Sequence, residues 1–141
     1  MTSAERRFPD VDPPVEPGLE PYWEAATEGR LVLSRCAEDG AALWPPRPFC
    51  PRHASAGVRW EPAGGGAEVY SYTVVHRGEG AFAAVAPYVL AYVQLDEGPR
   101  MLTNLVTSDG RPATEASIGQ RVVARFEQQG KLPVLRFTQS H

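Results

Sequence analysis

The sequence predicts a mainly β protein, in which a proline-rich arm, a short helix and a small cysteine-bearing ribbon precede a five-stranded barrel. Three observations predict it. Ten of the fourteen prolines fall within the first 62 of 141 residues, so a stiff, turn-rich front joins a proline-poor remainder. After Gly64, five segments alternate apolar and polar side chains with the two-residue period of half-buried strands. Ahead of Gly64, each of two cysteines stands three residues before another side chain able to ligate a metal. A 15.4 kDa chain with 43% hydrophobic residues fills one ordinary core and has no room for two large ones.

Residues 1–19 read as an extended arm. Pro9, Pro13, Pro14 and Pro17 fix φ and disfavour helix in the residue before each. Phe8 and Val11 are its apolar anchors, and Met1–Arg7 reads as a loose tail. A helix is expected over Glu20–Glu28, with Pro21 in its first turn, Tyr22, Ala25 and Ala26 on one face, and Gly29 as the stop. Leu31–Arg35 alternates as a strand leading into Cys36. Gly64-Gly65-Gly66 forms a joint dividing an N-terminal unit, residues 1–62, from a barrel unit, residues 63–141.

The first barrel strand is expected over Glu68–Arg77, with Val69, Ser71, Thr73 and Val75 on one face and Tyr70, Tyr72, Val74 and His76 on the other. Tyr88–Asp96 buries Val89, Ala91, Val93 and Leu95, and the turn Glu97-Gly98-Pro99 pairs it with Arg100–Thr107. A short helix is expected within Pro112–Ile118. Arg121–Gln128 then turns Val122, Ala124 and Phe126 inward, and Leu132–Thr138 closes the set with Pro133 at its start. Five strands with a helix between the third and fourth follow the order of an OB-fold barrel, with a small β-sandwich as the competing architecture.

Composition removes several functions. Two cysteines are too few for a disulfide framework. A net charge of −3 and a pI near 5.6 leave no basic stripe for a dedicated nucleic-acid binder. No apolar run reaches the roughly 18–20 residues of a membrane span, and Met1–Asp10 lacks the apolar stretch of a signal peptide, so a cytoplasmic location is expected.

The most informative motif is Cys36-x2-Asp39 followed, ten residues on, by Cys50-x2-His53. A zinc ribbon grips its ion with two Cys-x2-Cys knuckles, and here the second position of each knuckle has become a carboxylate or an imidazole. Cys36, Asp39, Cys50 and His53 are a chemically competent zinc set, softer in grip than four thiolates. Two alternatives stand beside it: a metal-free ribbon held by Trp44, Phe49 and the intervening prolines, and a Cys36–Cys50 disulfide. An iron electron carrier of the rubredoxin kind needs four thiolates and is excluded.

Pro21–Ala26, Leu31–Cys36, Trp44-Pro-Pro-Arg47 and Cys50-Pro-Arg-His53 resemble the zinc-ribbon half of the DUF35 proteins. Val69–Arg77, Ala86–Leu90, Leu95–Arg100 and Leu102–Val106 resemble their OB half. The resemblance runs in order from about Glu20 to Phe137, and it departs at the two substituted knuckle positions. It implies a rubredoxin-like ribbon, here degenerate, followed by a five-stranded OB-fold. It also implies a non-catalytic accessory subunit of a thiolase-like aldolase or acyltransferase, or of an enoyl-CoA hydratase. The substrates would be acyl-CoA thioesters, those of steroid side chains among them, and CoA would be a ligand of the complex. On that reading Arg47, Arg52, Arg59 and Arg77 are the candidate CoA phosphate contacts. The apolar loop Gly78–Ala86 presents Phe82 and Val85 either to an interface or acyl channel, or as a lid on its own barrel. Two other classes compete: a single-stranded nucleic-acid binder stacking bases on Tyr70, Tyr72, Tyr88 and Tyr92, and a stand-alone acyl-CoA enzyme using His76.

Overall fold

A computed structural model describes residues 6–53, 57–128 and 130–140. Helix α1 (Glu20–Thr27) is followed by strands β1 (Val32–Cys36), β2 (Ala42–Leu43) and β3 (Val58–Pro62), which form an antiparallel sheet in the order β2-β1-β3. Strands β4 (Gly66–Val75), β5 (Tyr88–Leu95), β6 (Arg100–Val106), β7 (Arg121–Gln128) and β8 (Pro133–Gln139) close into a barrel in the order β4-β5-β6-β8-β7. Closure, with β6 and β8 parallel and every other pair antiparallel, is the OB-fold arrangement and rules out the sandwich.

Helix α1 forms where expected. Tyr22, Ala25 and Ala26 are buried. Gly29 at φ 76° lets the chain turn back, so that the Gly29 and Arg30 amides donate to the Ala26 and Ala25 carbonyls. The helix and ribbon share one continuous core with the barrel: Tyr22, Ala25, Leu31, Val32 and Leu33 pack with Val69, Val93, Leu105, Val122 and Phe137.

Strand β1 departs from expected alternation. Val32, Leu33 and Ser34 are all buried, because the strand is central in its sheet and covered by both α1 and the barrel. Its partner β3 pairs along the whole of β1, from Val32 opposite Pro62 to Cys36 opposite Val58. β3 is not among the expected strands, although Val58, Trp60 and Pro62 do alternate with Arg59 and Glu61.

Strand β4 carries a bulge at Tyr70. Val69 lies opposite Val93, but Ser71 lies opposite Tyr92. One extra residue exchanges the two faces, so Ala67 and Val69 point inward before the bulge, whereas Tyr72 and Val74, opposite Ala91 and Val89, lie on that face after it. The single alternation expected over Glu68–Arg77 is therefore replaced by two of opposite phase. The helix expected within Pro112–Ile118 is also absent. Pro112 bridges to Val106, the Ala113 amide donates to the Leu105 carbonyl, and the segment crosses extended to a turn at Gly119.

Of the two expected arm anchors, Phe8 is buried and Val11 is exposed. Phe8 packs with Val85, Val106, Phe82 and Tyr88, while Arg6 Nη1 donates to the Val85 and Ala86 carbonyls at 3.3 and 2.9 Å. The loop after β4 is a 3-10 turn, Gly80–Val85, whose Val85 is buried against the arm, so that side chain serves its own fold rather than an interface. The tail expected over Met1–Arg7 lies outside the described residues up to position 5. A Cβ on Gly78 would collide with the Phe82 carbonyl and its carbon, which are backbone atoms that cannot swing aside. Gly78→Ala is therefore expected to cost about 1–3 kcal/mol in a urea titration, with Phe82 displaced.

Candidate metal centre and apolar groove

Two short turns build the metal-ligand cluster. At the end of β1, the Cys36 amide donates to the Ala41 carbonyl at 2.9 Å and the Gly40 amide to the Cys36 carbonyl at 2.8 Å, with Gly40 at φ 75° closing the turn. In the second knuckle the His53 amide donates to the Cys50 carbonyl at 3.2 Å. These turns aim Cys36 Sγ, Cys50 Sγ and His53 Nδ1 at one point, with all donor atoms within 4.8 Å of one another. His53 Nδ1 lies 3.5 Å from the Cys36 sulfur and 3.7 Å from that of Cys50.

Those spacings match a bound ion. With Zn–S near 2.3 Å and Zn–N near 2.0–2.1 Å, tetrahedral geometry separates sulfur from nitrogen by about 3.6 Å. Both cysteines are free thiols, so the disulfide alternative is not the one formed. Burial pushes the Cys50 thiol up, but the Arg52 amide, the His53 ring and amide, and the Cys36 thiol together bring it down to about 7. Cys36 moves the other way: the Asp39 and Glu38 amides pull it down, while burial and the Cys50 and Asp39 side chains carry it above its ordinary value. The hydrogen bond to Cys50 raises the His53 imidazole, with Glu38 and Asp39 adding to the effect.

Asp39 comes close without joining the cluster. Its Oδ1 accepts from the Ala41 amide at 3.0 Å, and its Oδ2 accepts from Arg52 Nη2 at 3.1 Å. That same Oδ2 lies 3.8 Å from His53 Nδ1. A cysteine beside an imidazole is also the makings of a nucleophile, but here both cysteines are buried.

The four arginines lie on different segments of the chain. Arg52 is bound to Asp39, and Arg59 on β3 pairs with Glu61 at 3.3 Å. Arg47 is exposed on the proline loop, its amide donating to Ser34 Oγ at 3.3 Å, and Arg77 is exposed just past β4. His76 is exposed beside it. Of the tyrosines that could stack bases, Tyr70 carries the Arg100 guanidinium 3.8 Å above its ring and Tyr88 packs edge-on against Phe8.

A groove of about 740 Å³, not expected from the sequence, opens between the arm, α1, the proline loop and β8. Pro13, Leu19, Trp23, Trp44, Phe49 and Leu135 line it, with Glu16 and Arg47 as its charged members. Trp23 Nε1 is buried there with no hydrogen-bond partner among the described residues. The prolines gave the stiffness of the walls, but four separate segments had to converge before a cavity existed.

Comparison with known proteins gives consistent matches. Residues 23–55 match the family described as "ChsH2, rubredoxin-like zinc ribbon domain", and residues 60–127 match "ChsH2, C-terminal OB-fold domain". A "DUF35 domain-containing scaffold protein" of Pyrococcus furiosus is 32% identical over 113 residues, which cover 77% of this chain and 82% of that one. A "Probable enoyl-CoA hydratase alpha subunit" of Thermomonospora curvata is 39% identical over 118 residues, covering 82% of this chain; the match spans only 36% of that longer protein. Among solved structures, a chain of an "Ltp2-ChsH2(DUF35) aldolase" superposes with a TM-score of 0.73 at 34% identity, covering 91% of this chain and 98% of that one.

Proposed function

Because the chain belongs to the DUF35 family, with the ribbon and OB-fold domains described for ChsH2, we propose that it is a non-catalytic accessory subunit of a hetero-oligomeric enzyme acting on acyl-CoA thioesters. Its partner on this reading is a thiolase-like aldolase or acyltransferase. The observation that carries the reading is the likeness, over 91% of this chain and 98% of that one, to a chain of the "Ltp2-ChsH2(DUF35) aldolase". Related names divide between hydratase and aldolase, so the family resemblance supports a thioester complex more strongly than any one reaction.

The chemistry within this chain agrees. Its two thiols are sealed, and His76 stands exposed at a strand end. What it offers outward is surface. The groove of Trp23, Trp44 and Phe49 is the face assigned to the partner, where the unpartnered Trp23 Nε1 would find an acceptor. For CoA phosphate, Arg47 is the best placed of the four arginines, since it borders the groove, whereas Arg52 and Arg59 already hold carboxylates. The ribbon residues Cys36, Cys50 and His53 would hold a zinc ion, whose contribution is to fix the two knuckles and hence the proline loop between them.

Co-expression with a thiolase-like subunit is expected to yield one complex on size exclusion, with thioester turnover that neither chain shows alone. Phe49, half exposed at the groove, is the test residue: Phe49→Asp should weaken the complex by tenfold or more, about 1.4 kcal/mol, with the melting temperature unchanged. A partner fully active by itself and migrating separately from this chain overturns the proposal.

A further inference from the structure

Asp39 occupies the position where a second thiolate of the first knuckle would complete a four-ligand ribbon site. Its Oδ1 accepts from the Ala41 amide and its Oδ2 from Arg52, and although the carboxylate also reaches Cys36, it is not among the residues whose donor atoms gather within 4.8 Å of one another, which are Cys36, Cys50 and His53. To bind an ion held by the other three residues, Oδ2 would have to come within about 2.0–2.2 Å of it, which at the tetrahedral angle is about 3.4 Å from His53 Nδ1. It stands at 3.8 Å, on the Arg52 side. Arg52 is no bystander, because it lies in the second knuckle between Cys50 and His53, and whatever positions those ligands positions the guanidinium too. The cluster is also lopsided. Both sulfurs are sealed in the interior, whereas His53 and Asp39 are about a third exposed, with side-chain accessibilities of 32% and 39%. Among the described residues, the His53 and Asp39 side of the cluster is therefore its solvent-exposed side.

We infer that, of the described residues, Cys36, Cys50 and His53 alone coordinate one divalent ion in the ribbon, that its fourth position is open to water or a small anion, and that the Arg52–Asp39 pair keeps the carboxylate out. Purely structural zinc sites are closed by four protein ligands, whereas two thiolates, one imidazole and an exchangeable position make a site that can take up a ligand. The inference rests on the ribbon being a metal site, and the test separates the two.

The full chain is titrated with Co²⁺, followed by its thiolate charge-transfer and visible bands, then challenged with azide; zinc affinity is measured by chelator competition. Wild type should bind one ion and change its visible spectrum on adding azide. Asp39→Asn, whose amide oxygen can still accept from Ala41, should keep its zinc affinity within about tenfold and keep the azide response. Cys50→Ser should bind roughly a hundredfold more weakly or worse. Arg52→Ala should free the carboxylate to enter the fourth position, tightening zinc binding and abolishing the azide response. A wild type that binds cobalt but ignores azide, or an Asp39→Asn as crippled as Cys50→Ser, overturns the open position and leaves the metal site standing. A wild type that takes up no ion overturns both.

Discussion

Phe137→Ala is expected to lower the stability of the folded chain by about 3–5 kcal/mol, the largest loss predicted for any single substitution considered. Phe137 is fully buried in β8, opposite Leu105 of β6 in the barrel's one parallel pair and opposite Ala124 of β7 in an antiparallel one. It therefore sits on the seam that closes the sheet on itself, in the core that the barrel shares with α1 and β1. Its neighbours belong to closed backbone ladders and cannot collapse far into the space it leaves, which places the substitution at the costly end of its class. Domains of this size are stable by roughly 5–15 kcal/mol, so the variant would keep a thin margin or none. In a urea titration the midpoint should fall while the slope holds. Ile118→Ala, at a position 65% exposed, is the control and should change stability by less than about 0.5 kcal/mol. A loss below about 1 kcal/mol for Phe137→Ala would mean that the seam is not where closure is secured.

The same seam shows what a sequence can and cannot disclose. β5 was legible in full, because a strand with one wet face must alternate, and Val89, Ala91, Val93 and Leu95 are all buried as that pattern requires. β1 was legible as a strand but not in its burial, since being covered on both sides erases alternation. The bulge at Tyr70 left no mark, because each half of β4 alternates correctly and only the pairing with β5 reveals the change of phase. The spacing of the knuckles identified Cys36, Cys50 and His53 as a cluster, since local turns fix which side chains they gather. It also nominated Asp39, whose carboxylate lies 3.8 Å from His53 Nδ1, outside the gathered trio. The Arg52 that engages the carboxylate comes from the other knuckle, thirteen residues away, and only the folded ribbon brings them together. The groove is the extreme case, assembled from the arm, α1, the proline loop and β8, none of which is concave alone.

Phe8→Ala is the second substitution with a large expected effect, and it tests whether the proline-rich arm is part of the working surface. Phe8 is buried between the 3-10 turn and the barrel, 5.7 Å from the Tyr88 ring and 6.3 Å from that of Phe82, with the Arg136 guanidinium 4.9 Å over its face. Truncation should cost about 3 kcal/mol, at the low end for a buried phenylalanine because an arm can lift away without unfolding the barrel. Hydrogen exchange should locate the loss: the Phe82 amide, bonded to the Glu79 carbonyl, loses protection while the β5 amides keep theirs. The arm beyond is then held chiefly by Asp12, whose carboxylate accepts from the Leu132 amide at 2.9 Å, and by buried Leu19. Pro13, Pro14 and Pro17 lie in that stretch and form one wall of the groove. Prolines lose little conformational entropy when they are fixed in place, so a seated arm is a preorganised wall, and an unseated one must be ordered again each time a partner binds. Phe8→Ala should therefore weaken the complex by about tenfold, although Phe8 itself does not line the groove. Loss of stability with partner affinity unchanged would show that the docking face is made by α1 and the proline loop alone, and that the arm serves only to seat the 3-10 turn.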